Sequence, residues 1–178
     1  VPKGELFEKK RAAARKKLLH IASVLVGYEA PDDAVLIATS GRYEFKNKGI
    51  DMYVDALNRL RLHYDGEREI IAFVLVPAWV NEPRADLLER LASGESYRTP
   101  LPDPYITHTL HNMAEDKVVN QIRYCGFPQK PESKLKIIFV PSYLTGNDGI
   151  VDLTYYDTLI GFDATAFPSY YEPWGYTP

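Results

Sequence analysis

Ala34-Val35-Leu36-Ile37-Ala38-Thr39 runs into Ser40-Gly41-Arg42-Tyr43-Glu44-Phe45-Lys46-Asn47-Lys48-Gly49, and then Ile50, Tyr53, Val54, Leu57, Leu60 and Tyr64 recur at helical spacing. The first six residues carry almost no polar group, as expected of a strand covered on both faces in a parallel sheet. The glycine breaks the run, and the basic loop leads into a helix N-terminus. A strand, a glycine turn and a helix start make a natural anion site, because unpaired backbone N–H groups and the helix dipole point at the ligand. Arg42 and Lys48 add two cations within reach of one pocket, so the loop reads as a diphosphate grip. Either cation taken alone reads more readily as a solvated loop charge. The turn has no Gly-x-Gly-x-x-Gly pattern, so an ordinary dinucleotide fingerprint is absent. Spacing alone therefore suggests phosphate and does not name the molecule.

Working outward, Glu5 to about Gly27 reads as a helix with Leu18, Ile21, Ala22 and Leu25 on one face. Its basic cluster (Lys9, Lys10, Arg11, Arg15, Lys16, Lys17) is expected to be the solvated face. On the other side, Glu69–Val76 and Leu135–Val140 are further buried strands, each stopped by proline, with a fourth strand near Gly161–Phe167. Helices are expected at Asp86–Leu91, Asp116–Cys125 and Tyr155–Leu159. Thr99-Pro100-Leu101-Pro102-Asp103-Pro104 reads as loop, and glycine-bearing Ser142–Asp152 as a long exposed loop. Strands alternating with helices predict α/β architecture: a Rossmann-like, mostly parallel sheet flanked by helices, in one domain. Ligands of such sheets sit outside the carboxyl ends of the strands, where the loops after the first and third strands and the segment after the fourth can converge.

The 178 residues are 46% hydrophobic, enough to bury a real core. A net charge of −3 argues against a nucleic-acid partner. No apolar run approaches the roughly 20 residues of a membrane helix, and the first residues do not read as a signal peptide. The single cysteine, Cys125, falls on a helix's apolar stripe and reads as a small core hydrophobe, which fits a reducing, cytoplasmic setting. His20, His63, His108 and His111 show neither metal-ligand spacing nor a nucleophile partner. Asp163 reads as structural.

Ser40 to Met52 resembles the donor-site segment of the glycogen synthases of fungi, animals and some bacteria. Phe167-Pro168-Ser169-Tyr170-Tyr171-Glu172-Pro173-Trp174-Gly175-Tyr176-Thr177-Pro178 resembles that family's other signature, and His111-Asn112-Met113 and Asn120-Gln121-Ile122-Arg123 fit between them. The resemblance covers nearly everything from about Lys10 onward. It implies the donor-binding half of a GT-B glycosyltransferase, truncated, facing an N-terminal domain that is absent here. It also implies retaining transfer of glucose from UDP-glucose to the non-reducing end of an α-1,4-glucan, with no catalytic metal. Arg42 and Lys48, with Tyr176 and Thr177, match the donor diphosphate contacts. Glu172, Trp174 and Gly175 match the sugar contacts, with Glu172 the catalytic carboxylate. Tyr155 matches the aromatic that stacks on uracil, although one tyrosine among thirteen could equally be packing on its helix. The second glutamate of the family's Glu-x7-Glu motif would fall beyond Pro178, so this fragment is expected to bind UDP weakly and to lack synthase activity by itself. Relatives in eukaryotes carry a long helical insertion near the proline-rich stretch, and its absence points to a compact, bacterial-type enzyme. Two alternatives remain: a GT-B glucosyltransferase using ADP-glucose or of sucrose type, and a non-catalytic nucleotide-binding module. Homo-oligomerisation, regulation and acceptor length are left open.

Overall fold

The structure is a computed structural model that describes residues 4–41 and 48–166. Its centre is a four-stranded, all-parallel sheet of order β5-β2-β1-β6, formed by β1 (Val35–Ser40), β2 (Ile70–Leu75), β5 (Leu135–Val140) and β6 (Ala164–Ala166). Helix α1 (Gly4–Val26) covers one face; α2 (Lys48–His63) and α4 (Lys117–Cys125) cover the other. Alternation along β2 explains the layering. Ile71, Phe73 and Leu75 pack with Leu18, Ile21 and Leu25 of α1, whereas Ile70, Ala72 and Val74 pack with Tyr53, Val54 and Leu57 of α2 and Val119 and Ile122 of α4. All six residues of β2, and all six of β5, are buried, so these strands read as unbroken apolar runs.

The α/β class, the parallel sheet and the main helices match expectation. Helix α4 starts where Asp116 accepts the Val119 amide at 2.9 Å and stops at Gly126 in the left-handed conformation, φ 71°. Helix α5 (Tyr155–Leu159) is capped by Thr154, whose hydroxyl accepts from the Asp157 amide at 3.1 Å. Cys125 is half-buried beside the α2–α4 core, and burial raises its thiol pKa.

Four features depart from expectation. The proline-bearing stretch after β2 forms a small antiparallel ribbon, β3 (Val80–Pro83) with β4 (His108–Leu110), which brackets α3 (Ala85–Ser93). These strands are too short and too polar to produce a periodic signal. Among the described residues the fourth parallel strand starts at Ala164 rather than Gly161, and Ala164–Ala166 are exposed. The 142–152 loop is anchored rather than exposed, with Leu144, Ile150 and Val151 buried. Finally, the basic cluster of α1 is not uniformly solvated. Arg11 donates to the carbonyls of Ile160 and Phe162 (2.8 and 2.9 Å), and Arg15 to that of Ala34 (2.9 Å). Both also reach the Asp163 carboxylate, at 2.8 and 3.1 Å.

Asp163 therefore is structural, and more tightly so than sequence implied: its Oδ2 also accepts the Leu36 amide of β1 at 2.8 Å. Burial alone would raise its pKa; the Leu36 amide, Arg15 and Arg11 outweigh it and hold the carboxyl below 3.8. The proline-rich stretch is loop, as expected. It crosses the end of α1 so closely that a Cβ on Gly27 (φ 81°) would lie 2.3 Å from the Thr99 carbonyl carbon.

Candidate functional site

From β1 the chain builds outward to β2 and β5, then returns to lay β6 on the opposite side of β1. The order reverses between β1 and β6, and the carboxyl ends of those two strands form the crevice that open α/β sheets use for ligands. Ser40 ends β1 at this rim. Gly41 follows with φ 147°, a conformation that side-chain-bearing residues rarely adopt. Helix α2 then begins at Lys48.

Tyr155, the first residue of α5, arrives at the same rim. Its hydroxyl lies 2.7 Å from Ser40 Oγ, joining residues 115 apart in sequence. Tyr155 keeps 43% of its surface open. Of the residues singled out from sequence, Tyr155 is thus brought to the end of β1. Arg42, Glu172, Trp174, Gly175, Tyr176 and Thr177 lie outside the described residues, as does the side chain of Lys48.

The 142–152 loop delivers α5 to the rim, and three groups hold it. The Asp148 carboxylate accepts the amides of Ile150 (3.0 Å), Val151 (2.9 Å) and Asp152 (2.7 Å). The buried His108 ring ties the loop to β4: Nε2 donates to the Asp148 carbonyl at 3.0 Å, and Nδ1 accepts from the Thr107 hydroxyl at 2.7 Å. Gly149 (φ 97°) sits against Pro83, where a Cβ would come within 2.4 Å of the proline ring. Sequence reasoning gave His108 no role, because its partners come from a distant loop and its neighbours carry no motif.

Burial lowers the His108 pKa below 6.5, against the opposing pull of Asp148 and Asp152. The unfolded chain therefore takes up a proton that the folded chain resists, so this site contributes stability above about pH 6.5 that is lost as pH falls through the folded pKa. Urea midpoints measured from pH 8 to 5 should drop in the lower half of that range, and His108→Gln should flatten the drop.

Elsewhere on the carboxyl edge, Trp79 is 69% exposed and stacks obliquely on His111, with ring centroids 5.1 Å apart. A hollow of about 880 Å³ lies away from this edge, between α1, the turn before β1 and Gly94–Tyr97. Its walls include Lys16, His20, Tyr28 and Tyr97, none of them near Ser40 in the fold's topology. Among the described residues no helix is long and apolar enough to cross a membrane.

A family model described as glycogen synthase matches residues 26–98 and 96–178, two pieces that meet at the loop after α3. The glycogen (starch) synthase of Neurospora crassa is 30% identical over 201 aligned positions, which cover 83% of this chain and 28% of that protein. Isoform 2 of Saccharomyces cerevisiae is 32% identical, covering 83% of this chain and 29% of its own length. The Caenorhabditis elegans enzyme is 27% identical over 83% of this chain and 30% of its own. The aligned stretches are longer than the part of this chain that enters them, so these relatives carry extra residues inside the region. The chain spans under a third of the length of these relatives. With the matched pieces running from residue 26 to residue 178 across the whole parallel sheet and its rim, the chain belongs to the glycogen synthase family.

Proposed function

We propose that this chain is the donor-binding part of a retaining glucosyltransferase, moving glucose from UDP-glucose to the non-reducing end of an α-1,4-glucan. The observation that carries the reading is the Ser40–Tyr155 hydrogen bond, which seats an exposed aromatic at the end of the strand that leads into the basic loop. Family membership supplies the chemistry, and a second, facing domain supplies the acceptor site. Tyr155 stacks on uracil. Arg42 and Lys48, with Tyr176 and Thr177, take the diphosphate, while Glu172, Trp174 and Gly175 take the glucose.

The energetic task is stabilising charge on the departing UDP as the sugar becomes cationic. Fixed cations and bare helix amides do this without reorganising, and such preorganised electrostatics are usually the largest catalytic contribution. Arg42 offers a planar fork and Lys48 a mobile point charge, so the two complement each other on a diphosphate. Glu172 faces the sugar and balances its developing positive charge.

Calorimetric titration of UDP into the full-length protein tests this. Arg42→Ala should weaken binding by about 1.5–3 kcal/mol, the range for a hydrogen bond to a charged group. Unchanged affinity would remove Arg42 from the site. Preference for ADP over UDP would move the enzyme to another donor class, and glucan elongation by residues 1–178 alone would refute the need for a second domain.

A further inference from the structure

Tyr155 is held at both ends. Its backbone begins α5, which Thr154 caps, and its hydroxyl meets Ser40 Oγ at 2.7 Å. Ser40 is itself fixed, because it closes the parallel ladder opposite Leu75, and its neighbour Thr39 pairs with Ala166 of β6. A tyrosine side chain has two rotatable bonds before its ring is set. With the Cα fixed by a capped helix and the oxygen fixed by a strand terminus, the first bond is set; the second runs along the axis through the hydroxyl oxygen, and the preference of a phenol O–H for the ring plane biases it. The ring nevertheless stays 43% exposed, so it is oriented without being packed away. That combination suits a flat ligand surface. An immobilised side chain has already given up the rotamer freedom that binding would otherwise remove.

We infer that the Ser40 hydroxyl is a positioning group for nucleotide binding: it presets the Tyr155 ring as a platform for the donor's base, acting through Tyr155 and not on the phosphates. This rests on the reading of Tyr155 as the base platform, and the experiment separates the two. The partnership cannot be seen in sequence, since a serine ending an apolar run looks like any strand terminus.

The test uses the full-length protein and two probes, UDP and inorganic diphosphate, which lacks a base. Ser40→Ala and Tyr155→Phe each remove the tether and keep the ring. Each should weaken UDP binding by roughly three- to tenfold, the cost of ordering one side chain. The double variant should be no worse than either single one, because both break the same bond. Ser40→Thr, which keeps the hydroxyl, should restore affinity. Diphosphate binding should not change in any of these. Tyr155→Ala should weaken UDP more than any of them. If Ser40→Ala and Tyr155→Phe bind UDP as the parent does while Tyr155→Ala does not, the platform stands and the positioning role falls. If Ser40→Ala weakens UDP and diphosphate alike, Ser40 acts on the neighbouring loop and the inference is overturned. If Tyr155→Ala also binds UDP normally, the platform reading fails and takes the inference with it. Because the hydroxyl pair is solvent-accessible, unfolding midpoints should stay close to the parent's, which excludes misfolding as the cause of any loss.

Discussion

Replacing Lys136 by methionine should destabilise the fold by about 3–5 kcal/mol, the usual result of removing one partner from a buried ion pair. Lys136 is the second residue of an otherwise apolar strand and is fully buried. Its ammonium donates to Glu69 Oε2 at 3.0 Å, to the Ser133 carbonyl at 2.7 Å and to the Pro131 carbonyl at 3.3 Å, which uses all three protons. Nζ also lies 4.2 Å from the centre of the Tyr28 ring, and the Tyr28 hydroxyl donates to the same Glu69 oxygen. Burial lowers the lysine pKa while Glu69 opposes the shift, and burial together with Glu69 raises that of Tyr28. Methionine fills much of the same volume but leaves a carboxylate in the protein interior without a cation. The decisive control removes all three polar side chains. Tyr28→Phe, Glu69→Leu and Lys136→Met together should recover most of the loss, because a well-packed apolar replacement of a buried pair is often neutral. Urea unfolding followed by circular dichroism checks both. A single variant as stable as the parent would mean that water reaches Glu69.

Arg84→Met should cost roughly 3 kcal/mol or more. Arg84 precedes α3 and is largely buried, and every N–H of its guanidinium is used. Nε and one terminal nitrogen hold Asp86 at 3.1 and 2.9 Å, and the remaining protons go to the carbonyls of Pro102, Asp103 and Ile106 at 2.6, 2.8 and 3.0 Å. Of these acceptors the Ile106 carbonyl is the buried one, and leaving it without a donor costs about 1–3 kcal/mol, to which the stranded Asp86 and the lost ties to Pro102 and Asp103 add. Arg84→Lys should recover only part, since an ammonium cannot reproduce a planar fork. Amide exchange should quicken first around residues 102–110, because this arginine pins the segment that enters β4. If exchange there is unchanged while global stability falls, the arginine acts through Asp86 alone.

These two residues also mark where sequence reasoning stops. The strands β1, β2 and β5 are legible because burial on both faces demands long apolar runs, and α2 and α4 because one buried face imposes a repeat near 3.6. Lys136 interrupts an apolar strand, and nothing local says that its partner is Glu69, 67 residues earlier. Arg11 and Arg15 sit among basic residues such as Lys9 and Lys16 that do face water, and only the folded seam between α1 and β6 tells them apart. The β3–β4 ribbon is held by pairing across a proline-bearing strand rather than by periodicity. At the candidate site, the resemblance singled out Tyr155, whereas its bond to Ser40 required the fold, because a hydrogen bond spanning 115 residues leaves no trace in spacing.

The seam at Asp163 has a consequence for ancestry. One carboxylate serves two guanidiniums and the Leu36 amide, but these clients are not equal. Because two guanidiniums share the carboxylate, either arginine can be exchanged for a neutral residue without leaving Asp163 uncompensated. The strand amide belongs to the backbone and persists whatever side chain Leu36 becomes. Across descendants of a common ancestor, position 163 should keep a hydrogen-bond acceptor after the cations beside it have been lost, and lineages that break this order should show a displaced first strand.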